Sequence, residues 1–357
     1  MRPHQTLRFV TAADGTRIAV ASIGDGPPLL RAAHWLSHVE YDLESPVWRP
    51  WLTELSRGHR YVRYDQRGCG LSDRQVAAQS LDAWVGDLEA VVDALALERF
   101  ALLGMSQGAS VAIAYANRHP ERVSHLVFVG AYARGALRRG GGEVAQLEAE
   151  TLVNLIRLGW GREHAAFRQV FPYRFIPRGT PEQLRWWGDL ERASADAAMA
   201  ARILQAFQQV DVCDLARQVR VPSLVMHARG DVAVPFEEGR WLASLIPDAR
   251  FVPLDSDNHV LLDTEPAWPV FLAELRAFLA PSAAGQLGDV ARSAALTAAE
   301  REVLGLVGEG LNNHAIAERL GKSEKTVRNQ LSSVLDKLGV RTRAEAIVRV
   351  RSRHGLG

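Results

Sequence analysis

The fold is decided by the stretch FALLGMSQGASVAIAYA, which runs over Phe100–Ala116. Its first four residues are apolar and predict a buried strand, and the run that begins at Ala109 predicts a helix. Between them, Gly104 and Gly108 flank Ser106 at a spacing of two residues. A sharp strand-to-helix turn leaves no room for side chains beside it, so glycines are favoured there. The pattern therefore predicts that the serine lies on a strained turn at the end of a buried strand.

Short apolar strands alternate with helical patterns on both sides of this turn, up to about residue 280. The predicted strands are Leu7–Val10, Arg17–Ser22, Pro28–Ala33, Tyr61–Tyr64, Phe100–Leu103, Val123–Val129, Ser223–His227 and Ala249–Pro253. The predicted helices are Val47–Leu55, Ser80–Ala96, Ser110–Arg118 and Phe236–Ile246. This alternation predicts an α/β fold with a mostly parallel sheet and helices on both faces.

One segment, from about residue 133 to 211, has helical stretches and many aromatic residues but no good strand pattern. We interpret it as a helical cap over the sheet edge. Most of its aromatic residues are expected to form the cap's own core, and a minority to line an apolar pocket. Farther along, residues 281–295 are rich in small residues and predict a linker. The linker separates a domain at 1–280 from a C-terminal domain at 296–357.

Two loops downstream of the serine carry the other groups that a nucleophilic serine needs. Asp231 follows the predicted strand Ser223–His227, and His259 follows the next strand. The carboxyl ends of parallel strands meet at one sheet edge, and a serine hydroxyl needs a base that an acid orients. We therefore predict Ser106, Asp231 and His259 as catalytic residues. The alternative acids are Asp255 and Asp257.

The chain from Leu296 onward follows a different pattern. Thr297 and Glu300 form a capping-box pattern before an amphipathic helix. A short second helix, a turn at Gly321 and a longer third helix predict a helix-turn-helix, and residues 342–350 predict a fourth helix. The buried stripe expected on the third helix is Val327, Leu331, Val334 and Leu338. The side chains expected to contact double-stranded DNA are Lys325, Thr326, Arg328, Asn329, Ser332, Ser333 and Lys337.

Composition limits the classes of protein that remain. The net charge is +1, but residues 296–357 carry 11 Lys and Arg against 7 Asp and Glu, which fits a surface for nucleic acid. Cys69 and Cys213 lack metal-ligand spacing, and we expect no metal and no cofactor. No stretch approaches the length of a membrane span, and residues 1–10 lack a signal-peptide core. We expect a cytoplasmic protein with no membrane partner.

Residues 5–280 resemble the α/β hydrolases. Besides the serine turn, the resemblance rests on YDQRGCGLSD at Tyr64–Asp73, which is similar to the family's D-x-R-G-x-G-x-S segment. The resemblance implies that Arg67 and Asp73 brace loops near the site. It also implies an oxyanion hole formed by the N–H of Gln107 and a second N–H. Where the family usually has His-Gly-x, this chain has His34-Trp35-Leu36, so the second donor is Trp35 or Leu36.

The C-terminal segment is similar to the output domain of LuxR-type regulators. The likeness rests on LT..EREVL at Leu296–Leu304, on SEKTVRN at Ser323–Asn329 and on KLGV at Lys337–Val340. It implies that the third helix reads the major groove and that the fourth mediates dimerisation. Gln330 and Ser332 depart from residues frequent in that family.

Together these features predict a homodimeric transcription regulator whose hydrolase-like domain senses a small apolar ligand, with or without hydrolysing it. The alternative is an active serine hydrolase of esters, thioesters, lactones or C–C bonds with an accessory DNA-binding domain. A third hypothesis is a hydrolase-like domain that serves only for dimerisation.

Overall fold

The computed structural model of the chain describes residues 4–161, 165–280, 296–338, 340, 342, 343, 345 and 346, with only the backbone of 165–168. The chain divides into two compact units, Met1–Phe278 and Leu279–Gly357. The predicted linker at 281–295 lies outside the described residues.

A mostly parallel sheet of eight strands forms the centre of the first unit. The strands are β1 (Gln5–Thr11), β2 (Arg17–Ile23), β3 (Pro28–Arg31), β4 (Arg60–Tyr64), β5 (Phe100–Met105), β6 (Val123–Val129), β7 (Ser223–Ala228) and β8 (Arg250–Leu254). Their order across the sheet is β1-β2-β4-β3-β5-β6-β7-β8. Only β2 runs antiparallel to its neighbours, β1 and β4, within this sheet. The predicted fold class and its strands are thus confirmed, with ends that differ by at most two residues.

Helices connect the parallel strands and cover the sheet. They are α1 (Trp48–Leu55), α2 (Leu81–Ala94), α3 (Gly108–Arg118), α4 (Gly142–Gly159), α5 (Ala165–Phe175), α6 (Pro181–Ser194), α7 (Ala197–Gln209), α8 (Cys213–Gln218), α9 (Phe236–Leu245) and α10 (Ala267–Leu279). Helix α10 was not predicted from the sequence, although its buried residues Trp268, Phe271, Leu272 and Leu275 recur at the helical spacing of three and four residues.

Helices α4–α7 lie in the segment between residues 134 and 211, which is inserted between β6 and α8. The two ends of this segment meet in an isolated antiparallel bridge between Arg134 and Asp211. The N–H of Val212 donates to the carbonyl oxygen of Ala133 at 2.8 Å beside that bridge. Because these hydrogen bonds hold its two ends together, the insertion that contains α4–α7 fits between two adjacent strands of the sheet.

Strand β5 is central and fully buried, because it pairs with β3 on one side and β6 on the other. Its carboxyl end leads through the turn at Ser106 directly into α3. Helix α3 therefore begins at Gly108, two residues before the predicted start.

The second unit contains the helices α11 (Ala298–Gly308), α12 (Asn313–Leu320) and α13 (Glu324–Leu338). Thr297 and Glu300 form the predicted capping box of α11, and Asn312 caps α12 through the N–H of Ala315. Gly321 ends α12 at φ 61°, a conformation that favours glycine. The predicted stripe of α13 is buried. Of the predicted fourth helix at 342–350, residues 344 and 347–350 lie outside the described residues, and so do residues 339 and 341 before it.

Where helices are described, none is both long and apolar enough to cross a bilayer.

Candidate functional site

Ser106 lies on a strained turn between β5 and α3. Its φ is 51°, in the left-handed region that a residue with a side chain rarely adopts. A Cβ atom on Gly104 would lie 2.8 Å from the Cα of Ala109, and one on Gly108 would lie 3.1 Å from the carbonyl oxygens of Ala32 and Ala33. The strained turn that the two glycines predicted is therefore present. It projects the serine hydroxyl at the carboxyl edge of the sheet.

Asp231 and His259 meet at the same edge, on the loops that follow β7 and β8. Nδ1 of His259 donates to Oδ2 of Asp231 at 2.6 Å. The other carboxylate oxygen accepts from the N–H groups of Ala233 and Val234, at 2.8 and 2.9 Å. Because Nδ1 carries the proton, Nε2 of the ring holds a lone pair. That atom is buried and has no hydrogen-bond partner among the described residues.

The environment of Asp231 favours its ionised form. Burial raises the pKa of this carboxyl, but the interactions with His259, His227 and the N–H of Val234 outweigh burial and hold the pKa well below its ordinary value. An ionised carboxylate orients the histidine ring and stabilises its protonated form. The alternative acids are placed elsewhere, since Asp257 pairs with Arg178 at 2.7 Å and Asp255 is exposed.

A second histidine touches the same carboxylate. Nε2 of His227 lies 3.0 Å from the carbonyl oxygen of Val234 and 3.4 Å from Oδ2 of Asp231. The carbonyl requires a donor, so Nε2 of His227 carries the proton. His227 is fully buried at the end of β7. Its place at the site was not predicted, because a histidine inside an apolar strand pattern gives no indication of what its ring contacts.

The hydroxyl of Ser106 is bonded to its neighbour in the chain. Oγ donates to Oε1 of Gln107 at 3.4 Å, whereas Nε2 of His259 remains without a partner in the described part of the chain. All three side chains line one pocket. The structure thus brings the three predicted catalytic residues together, with the serine hydroxyl turned to the glutamine.

Trp35 and Leu36, the two alternatives for the second oxyanion donor, both lie in the pocket wall. Leu36 has φ 61°, a second strained position beside the serine. The Trp35 ring packs on Trp160, Phe171 and Phe175 at centroid distances of 5.8, 5.4 and 5.7 Å. The tryptophan that replaces the usual glycine therefore joins the loop after β3 to the aromatic residues of α4–α7.

The loop after β4 braces this wall. Asp65 accepts from the N–H of Val39, and Ser37 accepts from the N–H of Gln66, at 2.9 and 3.0 Å. Arg67 forms two hydrogen bonds to Asp87, at 2.6 and 2.8 Å. Asp73 accepts from the N–H of Arg17 at 2.8 Å. These contacts agree with the bracing that the family resemblance implied for Arg67 and Asp73.

The pocket is small and mainly aromatic. It contains about 320 Å³ of empty space, including the part open to solvent. Its lining residues are His34, Trp35, Leu36, Trp48, Met105, Ser106, Gln107, Phe175, Trp187, His259 and Val260. Of the cap's aromatic residues, Phe175 and Trp187 line it, as expected for a minority of them. Others pack elsewhere: Trp186 stacks on Tyr41, and Phe207 on Trp84; the side chain of Phe167 lies outside the described residues.

A buried charged cluster lies beneath one wall of the pocket. Arg31 lies over the Trp48 ring at 5.0 Å, and both Arg31 and Arg63 reach Asp42, at 3.8 and 3.4 Å. Burial, followed by the charge of Arg31, lowers the pKa of His34 well below its ordinary value. His34 is therefore neutral, and its Nδ1 lies 2.9 Å from the carbonyl oxygen of Trp35. Within the described ranges, no group of three or more His, Cys, Asp or Glu side chains is arranged to hold a metal ion.

In the second unit, α13 carries the residues predicted to contact DNA. Lys325, Thr326, Arg328, Asn329 and Ser332 are exposed. Ser333 is half-buried and Lys337 is exposed, and both bond to the carboxylate of Glu300, at 2.6 and 2.7 Å. The structure thus exposes six of the seven, and it engages Ser333 and Lys337 in a contact between α13 and α11.

Comparison with known proteins identifies both parts of the chain. Residues 42–266 match the family model of the alpha/beta hydrolase fold. The chain belongs to the α/β-hydrolase fold family. Residues 294–350 of this α/β hydrolase match the model of the bacterial regulatory proteins of the luxR family, so the chain also carries a LuxR-type helix-turn-helix domain.

Individual relatives cover the hydrolase-fold part. The AB hydrolase superfamily protein YisY of Bacillus subtilis (strain 168) is 26% identical over 257 residues, 70% of this chain and 91% of that protein. The 2-hydroxymuconate semialdehyde hydrolase of Pseudomonas sp. (strain CF600) is 30% identical over 228 residues, 59% of this chain and 74% of that protein. An esterase from Exiguobacterium antarcticum superposes with a TM-score of 0.64 at 24% identity, over 76% of this chain and 99% of that one, which shows a shared fold.

Proposed function

We propose that this α/β hydrolase is a DNA-binding transcription regulator that binds a small, mainly apolar acyl compound and hydrolyses it through Ser106, His259 and Asp231. The observation that carries the proposal is the 2.6 Å hydrogen bond between His259 and Asp231 in the pocket that also holds the strained serine. The chain that contains this pocket also has a luxR-family domain.

The chemistry follows from the positions of these groups. Oγ of Ser106 attacks the acyl carbon, and its proton passes to Nε2 of His259. The N–H of Gln107, with that of Trp35 or Leu36, stabilises the oxyanion. Protonated His259 returns the proton to the leaving group, whose bond to the acyl carbon breaks. Water then attacks the acyl-serine with His259 as base, which releases the acid and restores Ser106.

The pocket supports an apolar, planar substrate. Trp35, Trp48, Phe175 and Trp187 supply an aromatic surface around Ser106, which favours a small apolar substrate. The similarity to a 2-hydroxymuconate semialdehyde hydrolase supports hydrolysis of a bond beside a carbonyl group. No cofactor enters this mechanism.

The second unit supports the regulatory half of the proposal. Arg328 and Asn329 on the open face of α13 are the residue types that read guanine and adenine. We propose a cytoplasmic homodimer in which a hydrolase domain (1–280, with its cap at about 133–211) is joined by a linker (281–295) to a DNA-binding domain (296–357). Two half-sites about one helical turn apart would fit such a dimer. Ligand binding alters DNA affinity if one arrangement of the dimer binds the ligand better.

A second candidate function is sensing without turnover. One observation favours it: the Ser106 hydroxyl donates to Gln107, while Nε2 of His259 has no partner among the described side chains. In this case the hydrolase domain binds its ligand through the same pocket, and ligand release rather than hydrolysis ends the signal.

Reaction with a fluorophosphonate probe separates the two candidates. The wild type is compared with Ser106→Ala, and with Ser244→Ala as a control, because Ser244 lies on α9 and its hydroxyl donates to the carbonyl oxygen of Trp241. Labelling of the wild type and of Ser244→Ala, but not of Ser106→Ala, supports hydrolysis. A folded wild-type protein that takes no label supports sensing without turnover.

DNA binding is tested separately, by fluorescence anisotropy on a mixed-sequence duplex at several salt concentrations. We expect affinity to fall steeply with salt, because phosphate contacts release counterions. A flat salt dependence contradicts the assignment of α13.

A further inference from the structure

The side chain of Gln107 has no role in the mechanism above, which uses only the backbone N–H of that residue. Gln107 is 7% exposed and lines the pocket. Its Oε1 accepts from the Ser106 hydroxyl at 3.4 Å. Its Nε2 is buried and has no hydrogen-bond partner among the described residues. A buried side-chain amide whose oxygen is hydrogen-bonded but whose nitrogen has no partner is unusual in a protein interior.

The position of the unpaired nitrogen follows from covalent geometry. Oε1 and Nε2 are bonded to the same carbon atom, so Nε2 lies beside Ser106 because Oε1 contacts its hydroxyl. The backbone of Gln107 is also held, since the Ser110 hydroxyl donates to its carbonyl oxygen at 2.8 Å. The unpaired donor thus lies next to the atom that attacks the substrate.

We infer that the Gln107 side chain is a further catalytic residue, which donates a hydrogen bond from Nε2 to the oxygen of the reacting acyl group. The inference rests on the proposed hydrolysis at Ser106. An acyl oxygen supplies the acceptor that the folded chain lacks at Nε2, and the donor strengthens its bond as negative charge develops on that oxygen. Gln107 then stabilises the oxyanion through two groups, its backbone N–H and its side-chain amide.

The same contact explains the resting position of the serine. Oε1 of Gln107 and Nε2 of His259 compete for one hydroxyl proton. In the free protein the hydroxyl donates to Gln107. When the acyl group draws the amide toward its oxygen, the hydroxyl is released to His259, which accepts the proton during attack.

The rate of fluorophosphonate labelling tests this role. In that reaction the bond from Oγ to phosphorus forms, the phosphorus–fluorine bond breaks, fluoride leaves and the proton goes to His259. The phosphoryl oxygen takes the place of the acyl oxygen. Gln107→Met keeps the length of the side chain but has no donor, and we expect labelling about tenfold slower or more at every pH.

Gln107→Glu separates a catalytic role from packing. Its carboxyl has nearly the shape of the amide, donates only when protonated and repels the oxyanion when ionised. We expect labelling more than about tenfold slower than wild type at pH 8, with the ratio of variant to wild-type rate recovering toward pH 5. The variant that never donates, Gln107→Met, stays slow at both pH values, whereas a side chain that serves only packing leaves Gln107→Met at the wild-type rate.

The control is Gln208→Met, because Gln208 is equally buried but bonds to Ala149 in the cap. We expect its labelling rate to equal that of the wild type, with thermal melting used to correct each rate for the folded fraction. A wild-type rate in Gln107→Met, or an unchanged ratio in Gln107→Glu, overturns the inference. Gln107→Leu, a second neutral variant without a donor, decides the test where Gln107→Met is unstable. An unlabelled wild type overturns the proposed hydrolysis and this inference together.

Discussion

Asp231 in the hydrolase-fold unit and Glu300 in the C-terminal unit have similar hydrogen-bonding environments, but only Asp231 belongs to the candidate site. Each is a buried carboxylate that accepts hydrogen bonds from side chains and from a backbone N–H. Asp231 accepts from His259 and from two backbone groups. Glu300 accepts from Ser333, Lys337 and the N–H of Thr297. In both, these interactions lower the pKa of the carboxyl.

The difference lies in what the partners of each carboxylate can still do. His259 has a second ring nitrogen that no described residue contacts, and it lines a pocket with Ser106. Ser333 and Lys337 instead join α13 to the first turn of α11. A strongly bound carboxylate therefore does not by itself indicate chemistry. It indicates chemistry only where its partner keeps a free functional atom.

The largest expected effect comes from a substitution that disrupts the hydrogen bond between Asp231 and His259. Asp231→Asn removes the charge. Its amide oxygen is expected to keep the bonds from the N–H groups of Ala233 and Val234, so its NH2 group faces Nδ1 of His259 and stabilises the wrong tautomer. We expect the rate of fluorophosphonate labelling at Ser106 to fall by about 10⁴-fold. The control is Asp257→Asn, since Asp257 lies two residues before His259 but pairs with Arg178. Equal losses in the two variants would contradict the assignment of the acid.

A smaller effect is expected from adding one methyl group in each unit. In Gly104→Ala the new Cβ meets the Ala109 Cα at 2.8 Å, so we expect a loss of about 1–3 kcal/mol in the free energy of unfolding. In Gly305→Ala nothing lies within 4 Å of the new Cβ, and the helix gains up to about 1 kcal/mol. Hydrogen-exchange mass spectrometry resolves the two units in the full chain. Changes of the same sign would show that the serine turn is not tightly packed.

The open face of α13 can be compared with the part bonded to Glu300. We expect Arg328→Ala to weaken binding to a DNA duplex by about 1–3 kcal/mol, because Arg328 is exposed. Lys337→Ala should weaken binding less and should destabilise the contact between α11 and α13. Anisotropy titrations and hydrogen exchange measure the two effects. A larger loss of DNA affinity in Lys337→Ala would return that residue to the DNA-contacting set.

The smallest effect is a pH dependence. Hydrogen bonds from Lys337, then Ser333 and Thr297, lower the pKa of Glu300 to about 2. Because the pKa of Glu300 is lower in the folded state than in the unfolded state, its ionised form stabilises the folded unit. This contribution is complete above the ordinary pKa of 4.5 and is lost as the pH falls through about 2. We expect amide protection in 296–338 to decline over this range. Glu300→Gln should show a flatter decline, and an identical profile in the two proteins would argue against this contact.

Much of the fold followed from periodicity alone. All eight strands and the helices around the serine turn were predicted, because alternation of apolar runs with helical spacing reports which faces are buried. The helix cap at Thr297 was also predicted, since a cap depends on residues within three positions of each other. The two family resemblances were confirmed by the family models.

The sequence by itself determined the strained turn at Ser106 and the order of serine, acid and histidine, because these depend on local residue types and on strand order. Only the tertiary structure decided which acid meets His259, that His227 touches the same carboxylate and that Gln107 holds the serine hydroxyl. It also decided that Ser333 and Lys337 bond to Glu300. These contacts join side chains from different elements or depend on rotamers, and no spacing along the chain encodes where a side chain ends.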